Sequence, residues 1–150
     1  MKKMACLLLA AVMVFALAGC GSGNAKGGRQ TASAYLDQSE DAAVEVTVDL
    51  SGGWSVEFVR GAAYLYDGEI AAGKEGVAML ITLDKDVYDE DLAKAMADTN
   101  HKEADGGVYY TDETGCGAYL RSLNDSAFVL ITANAKDIEA VVARITLALN

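Results

Sequence analysis

Aromatic side chains and one arginine are the residues of this sequence best suited to contacting a ligand. They are Trp54, Tyr64, Tyr66, Tyr109, Tyr110, Tyr119 and Arg121. Successive side chains of a strand point to opposite faces, so the pair Tyr64 and Tyr66 shares one face, as does the pair Tyr119 and Arg121. If these faces coincide, they form an aromatic platform with one cation, which suits a glycan or a peptide. The alternative is that the tyrosines only stabilise the sheet as cross-strand pairs.

Cys116 and His101 are the candidates for nucleophilic catalysis. A reactive cysteine needs a base or a neighbouring cation. No Lys or Arg flanks Cys116, and nothing in the sequence places His101, the single histidine, near it. Neither a Gly-x-Ser-x-Gly nor a His-Glu-x-x-His motif occurs. We therefore predict no catalytic residue, and a thiol enzyme using Cys116 or a small hydrolase remains the alternative.

Five carboxylates are crowded into eight positions: Asp84, Asp86, Asp89, Glu90 and Asp91. A Ca²⁺ loop that begins at Asp84 would need Gly where Asp89 stands, and it would place Tyr88 at a ligand position. Acidic residues at a helix start are explained by the helix dipole. The sequence predicts neither a metal site nor a cofactor.

The elements that position these residues are mainly strands. The segment 43–50 alternates apolar and polar residues, which is typical of a half-buried strand. The turn at 51–53 predicts a hairpin with a strand over 54–58. Segments 62–66, 106–111 and 117–123 are further predicted strands, and the last two are expected to form a hairpin joined through 112–115. Segments 77–83 and 127–132 are almost wholly apolar, as in strands covered on both faces.

Two helices complete the prediction. One runs from Asp89 to about Thr99. The other follows Asn134 and carries one apolar stripe: Ile138, Val141, Val142, Ile145 and Leu149. The expected fold class is α+β, an antiparallel sheet of about six to seven strands with two packed helices, in the order ββββ-α-βββ-α.

Length and charge limit the function. The chain has 150 residues, about the length of one domain. Twelve Lys and Arg against 22 Asp and Glu give a net charge of −10, so no nucleic-acid partner is expected.

The N-terminus has the layout of a secretory signal. Met1-Lys2-Lys3 is basic and residues 4–18 are apolar or small, a run too short to span a bilayer. The segment ends in Leu17-Ala18-Gly19-Cys20, which resembles the lipobox of bacterial lipoproteins. The alternatives are an ordinary secreted protein and a membrane-spanning anchor.

The lipobox resemblance implies cleavage between Gly19 and Cys20 and attachment of diacylglycerol to the Cys20 sulfur, often followed by N-acylation with a palmitate-type chain. Several acyl chains hold a protein on a membrane durably. The implied location is extracytoplasmic, on the bacterial cell membrane, or on the outer membrane of a diderm. Gly21 stands where some diderm lipoproteins carry the Asp that retains them at the inner membrane.

We therefore predict a cleaved signal peptide over 1–19, a lipidated Cys20 with a flexible tether over 20–41, and a single domain over 42–150. The segment Leu50-Ser51-Gly52-Gly53-Trp54 and the element order give the domain a loose resemblance to PsbP/Mog1-like domains. No functional residue is transferred from that family.

The predicted function is that of a lipid-anchored envelope lipoprotein with a non-catalytic binding or accessory domain. Its partners would be the membrane, through the anchor, and an envelope protein, peptide or glycan. A structural protein that docks a partner without binding a small ligand is the other alternative.

Overall fold

The computed structural model describes residues 30–36 and 44–149. The predicted signal peptide, the lipobox and much of the predicted tether lie outside these residues. The described residues form ten strands: β1 Thr31–Leu36, β2 Val44–Asp49, β3 Trp54–Val59, β4 Ala62–Asp67, β5 Ala78–Leu83, β6 Lys102–Ala104, β7 Gly107–Thr111, β8 Cys116–Asn124, β9 Ala127–Asn134 and β10 Ile145–Leu149. The helices are α1 Lys85–Ala97 and α2 Ile138–Val142.

The strands form two antiparallel sheets. The larger has seven strands in the order β3-β4-β5-β9-β8-β7-β6, and the smaller has three in the order β1-β2-β10. Buried side chains from both sheets share one apolar core. The prediction of an antiparallel sheet with two helices is confirmed, but the prediction of one sheet is wrong.

The interior of the larger sheet follows from its most apolar strands. Strands β5 and β9 pair with each other and have neighbours on both sides, as their continuous apolar sequences predict. Leu80 and Ile131 are opposite each other in the register, and both are fully buried in the core. The predicted hairpin of β7 and β8, joined through 112–115, is also present.

The predicted hairpin of β2 and β3 is wrong. β2 pairs with β1 and β10, whereas β3 pairs with β4, so the two strands belong to different sheets. Gly52 and Gly53 between them both have a positive φ, which glycine adopts without a Cβ clash. Alternation along a strand predicts which side chains are buried, but it does not predict the neighbouring strand.

Strand β1 lies inside the segment for which the sequence predicts a tether. It pairs with β2 from Thr31 opposite Asp49 to Leu36 opposite Val44, and Leu36 is 1% exposed. Its inward residues before Leu36 are Ala32 and Ala34, which give little hydrophobic signal. A strand of the smaller sheet therefore lies on the N-terminal side of residue 42.

The prediction of a long C-terminal helix is wrong. α2 ends at Val142, and the residues from Ile145 form β10 against β2. Leu149, part of the predicted stripe, is 41% exposed, while Leu147 packs against the core. The two-residue spacing of Ile145 and Leu147 fits a strand, and pairing satisfies the second edge of β2.

Helix α1 begins at Lys85, four residues before the predicted start, with Asp84 as its N-cap residue. It covers the face of the larger sheet opposite the core, over β7, β8 and β9. Ala95 is fully buried there, and the ring of Tyr88 stacks on Phe128 with centroids 4.5 Å apart. Within residues 30–36 and 44–149, no helix is long and apolar enough to cross a membrane.

Two leucines distinguish a C-terminal strand from a helix. Leu147→Asp should lower the free energy of unfolding by roughly 2 kcal/mol, because it replaces a partly buried side chain that packs against the core with a carboxylate. Leu149→Asp should change it by less than about 0.5 kcal/mol, since surface substitutions have small effects. Urea unfolding of both variants measures the difference. The reverse order of effects would favour the helix.

Candidate functional site

A cavity of about 230 Å³ lies between β8 of the larger sheet and β10 of the smaller one. Its apolar wall comes from β9, from the end of α2 and from β10, through Ile131, Val142, Ile145 and Leu147. Its polar side chains are Asp105, Tyr119 and Arg121. Among the described residues, β1, β2, β10 and α2 pack on the core side of the seven strands, and the cavity lies beside α2 and β10.

Tyr119 and Tyr109 hold Asp105 at the cavity. The Tyr119 hydroxyl donates to the main-chain oxygen of Asp105 at 2.6 Å, and the Tyr109 hydroxyl donates to its carboxylate Oδ2 at 2.7 Å. The two rings lie 4.6 Å apart between centroids. Burial, followed by the bond to Asp105, raises the pKa of Tyr109. Burial also raises the pKa of Tyr119, although the Arg121 guanidinium lowers it in part.

The turn between β6 and β7 makes this arrangement possible. Asp105 has φ 56° and Gly106 has φ 78°, so two consecutive residues adopt the left-handed conformation. At the next position, a Cβ on Gly107 would lie 2.7 Å from the Tyr119 Cζ. Glycine at 107 therefore leaves room for the ring of Tyr119 under the turn.

Arg121 supplies the positive charge of the cavity. It is half-buried on β8, and its guanidinium packs against Gly106, where a Cβ would lie 3.6 Å from the Arg121 Cζ. The ion pairs found among the described residues all use lysines, so within that part of the chain no carboxylate pairs with Arg121. A guanidinium presents a planar fork of donors that matches a carboxylate.

The structure does not bring the aromatic platform together. Trp54, Tyr119 and Arg121 lie on the core side of the larger sheet, and Tyr64, Tyr66 and Tyr110 lie on the other side. Even on one side, Trp54 on β3 and Tyr119 on β8 are four strand spacings apart, roughly 19 Å. Of the predicted set, the cavity includes Tyr119 and Arg121, with Tyr109 behind them.

Trp54 and Tyr66 have local structural partners. The Arg144 guanidinium lies 4.5 Å from the Trp54 ring and donates to the main-chain oxygens of Asp49 and Ser51. The Tyr66 hydroxyl donates to Glu57 Oε2 at 3.1 Å. Tyr110 lies in the region of α1, where burial, and then Asp91 and Asp112, raise its pKa to about 12.

Cys116 and His101 each have a separate bonding partner. Cys116 is disulfide-bonded, and the other cysteines of the chain, Cys6 and Cys20, lie outside the described residues. This bond contradicts the interpretation of Cys116 as an unpaired hairpin cysteine. The Nδ1 of His101 lies 2.7 Å from the Asp98 carbonyl oxygen, just after α1.

No group of three metal-ligating side chains occurs within the described ranges. In the acidic segment, Lys85 pairs with Asp89, and Lys94 pairs with Glu90 and Asp91. These contacts fit the interpretation of the segment as a solvated helix start.

Sequence reasoning missed Asp105 and the residues from α2 and β10. The Asp-Gly step at 105–106 is a turn signal, but nothing local shows that Tyr119 approaches this turn. Ile145 and Leu147 were expected on a helix.

Removing the Tyr119 hydroxyl tests the support of Asp105. Tyr119→Phe should destabilise the fold by about 0.5–1.5 kcal/mol, because the Asp105 carbonyl loses a part-buried hydrogen bond. Tyr64→Phe is the matched control, since none of the described hydrogen bonds uses the Tyr64 hydroxyl. Urea unfolding curves compare the two; equal midpoints would contradict this role of Tyr119.

The raised pKa of Tyr110 makes the folded state lose stability as the pH becomes alkaline. Its pKa is about 12 in the folded chain, against 10.0 for an ordinary tyrosine, so the folded state keeps its proton to higher pH than the unfolded state does. This contribution is complete below pH 10 and is lost as the pH rises to about 12. Tyr110→Phe should flatten the decline measured by thermal melts from pH 9 to 12. Substitution of Tyr35, which is 54% exposed, should leave the decline unchanged.

No protein family, curated protein or solved structure matches this chain. Of the features behind the resemblance to PsbP/Mog1-like domains, the turn before Trp54 is present, but the terminal amphipathic helix is replaced by α2 and β10. The argument about function therefore depends on the lipobox and on the cavity itself.

Proposed function

We propose that this protein is a lipid-anchored, extracytoplasmic lipoprotein of the bacterial envelope, and that its folded part is a non-catalytic binding domain with the Arg121 cavity as its site. The observation that carries the binding function is a guanidinium, without an ion-pair partner among the described residues, at a cavity that also has an apolar wall. The lipobox resemblance supports the anchor.

The chemistry of the cavity favours binding over catalysis. Its side chains offer one cation, one carboxylate and one phenol, and the phenol is 1% exposed and hydrogen-bonded to the main chain. Burial raises the pKa of this phenol, so it stays protonated at neutral pH and is a poor general base. A ligand can place an anionic group at Arg121 and an apolar group against the apolar wall of the cavity.

The anchor proposal constrains the chemistry of the cysteines. Cleavage before Cys20 removes Cys6, and acylation converts the Cys20 sulfur to a thioether. A Cys20 that carries lipid cannot form a disulfide with Cys116. The lipidated form and a form with that disulfide are therefore different molecules with different masses.

Cys20→Ala tests the anchor. In cells fed labelled palmitate, the parent chain should incorporate the label and appear in the membrane fraction, whereas the variant should lose the label and accumulate as precursor. Cys116→Ala is the matched control, because it removes a cysteine that lies outside the lipobox, and it should keep the label.

Mass spectrometry of the non-reduced protein adds a second readout. A mature chain that begins at an acylated Cys20 is the expected result. Persistent labelling of Cys20→Ala, or a disulfide between Cys20 and Cys116 in the membrane-derived chain, would contradict the proposal.

A further inference from the structure

We propose that the outer edge of β10 and the Arg121 cavity together bind an extended peptide segment that carries a carboxylate. This inference depends on the proposed binding function and specifies its ligand. The segment would add to β10 as a fourth strand of the smaller sheet, as in β-augmentation.

The hydrogen-bond register shows which groups of β10 point outward. The Asp49 N–H donates to the Arg144 oxygen at 2.8 Å, so these opposite residues form a hydrogen-bonded pair. Antiparallel pairs alternate, so Thr146 and Ala148 also bond towards β2. The N–H and C=O groups of Ile145, Leu147 and Leu149 therefore point to the other side, where no described strand pairs with β10.

The cavity lies on that same outer side. β10 contributes Ile145 and Leu147 to its wall, and the larger sheet contributes Tyr119 and Arg121, whereas no residue of β1 or β2 lines it. A strand paired at the normal spacing would run about 4.8 Å beyond β10. Its alternate side chains would then face the cavity and Arg121.

The size of the cavity fits this kind of ligand. At about 230 Å³ it is smaller than the roughly 300–1,000 Å³ of sites that enclose a whole small molecule. It can take one or two side chains of a bound segment. In β-augmentation, main-chain hydrogen bonds supply affinity, and pockets for alternate side chains supply specificity.

The charges favour a carboxylate on the ligand. Arg121 has no ion-pair partner among the described residues, and the Asp105 carboxylate beside it already accepts the Tyr109 hydroxyl. A ligand carboxylate can therefore pair with Arg121. Bonds of this charge-assisted type are about twice as strong as neutral ones.

The edge of β10 lacks the usual protection against pairing. Residues 145–149 read Ile-Thr-Leu-Ala-Leu, with no charged residue and no proline. Strand β10 of a second copy of this chain carries no acidic side chain for Arg121. The net charge of −10 on each copy also opposes self-association. A peptide from another protein can form hydrogen bonds with the edge of β10 and also bring a carboxylate to Arg121.

The test uses the full chain in detergent and three fluorescent hexapeptides of alternating Thr and Val. The first has a free C-terminal carboxylate, the second is amidated, and the third is amidated with one Glu in place of a Thr. Anisotropy titrations should give at least tenfold tighter binding for one or both of the carboxylate peptides than for the neutral one. The comparison of the first with the third distinguishes a chain terminus from an acidic side chain.

Two pairs of variants assign the effect to the site. Arg121→Gln should abolish the preference for a carboxylate, whereas Arg60→Gln, on the exposed turn between β3 and β4, should keep it. Leu149→Pro removes an outward N–H and should weaken binding of all the peptides more than Leu149→Ala does, because the alanine variant keeps that N–H.

Several outcomes would overturn the peptide inference. They are equal binding of charged and neutral peptides, equal effects of the two arginine variants, and a chain that dimerises through β10 and excludes the peptides. A chain that keeps its lipid label but binds no peptide would refute this inference and leave the anchor intact. Loss of the label with intact peptide binding would refute the anchor alone.

Discussion

The structure depends on covering one apolar face of a seven-stranded sheet. That face holds Leu65, Leu80 and Val129, each fully buried, and water must be excluded from it along several strands. Among the described residues, the cover consists of β1, β2, β10 and α2. The pairing of β10 with β2 extends this cover towards β8, and the cavity lies beside α2 and β10. The core and the candidate site therefore share these two elements.

The turn before β7 connects the sheet to the cavity chemistry. Asp105 adopts a left-handed conformation that is unusual for a residue with a Cβ, and two tyrosine hydroxyls hold it there. Gly107 leaves room for the Tyr119 ring, and the Arg121 guanidinium packs against Gly106. The turn at 105–107 therefore contacts both Tyr119 and Arg121 at the cavity.

Part of the proposed site could be predicted from the sequence. The two-residue spacing of Tyr119 and Arg121 placed them on one face of a strand, and the structure confirms that both line one cavity. The similar spacing of the other aromatic residues predicts that they form one platform with Tyr119 and Arg121. Spacing within a strand carries no information on how many strands separate two such pairs, and Tyr64 and Tyr110 lie far apart for that reason.

The sequence by itself determined the fold class, the interior strands β5 and β9, the hairpin of β7 and β8, and the presence of α1, because these follow from local apolar patterns and turn residues. Only the tertiary structure decided which sheet β2 joins, that 31–36 forms a strand, and that 145–149 is extended. Each of these depends on an edge or a face that distant residues provide: β1 and β10 pair with β2, and Ile145 fits a helical stripe and a strand equally well. A short apolar segment adopts the conformation in which its backbone groups are hydrogen-bonded and its apolar side chains are buried. The sequence of the segment does not specify which strand it pairs with.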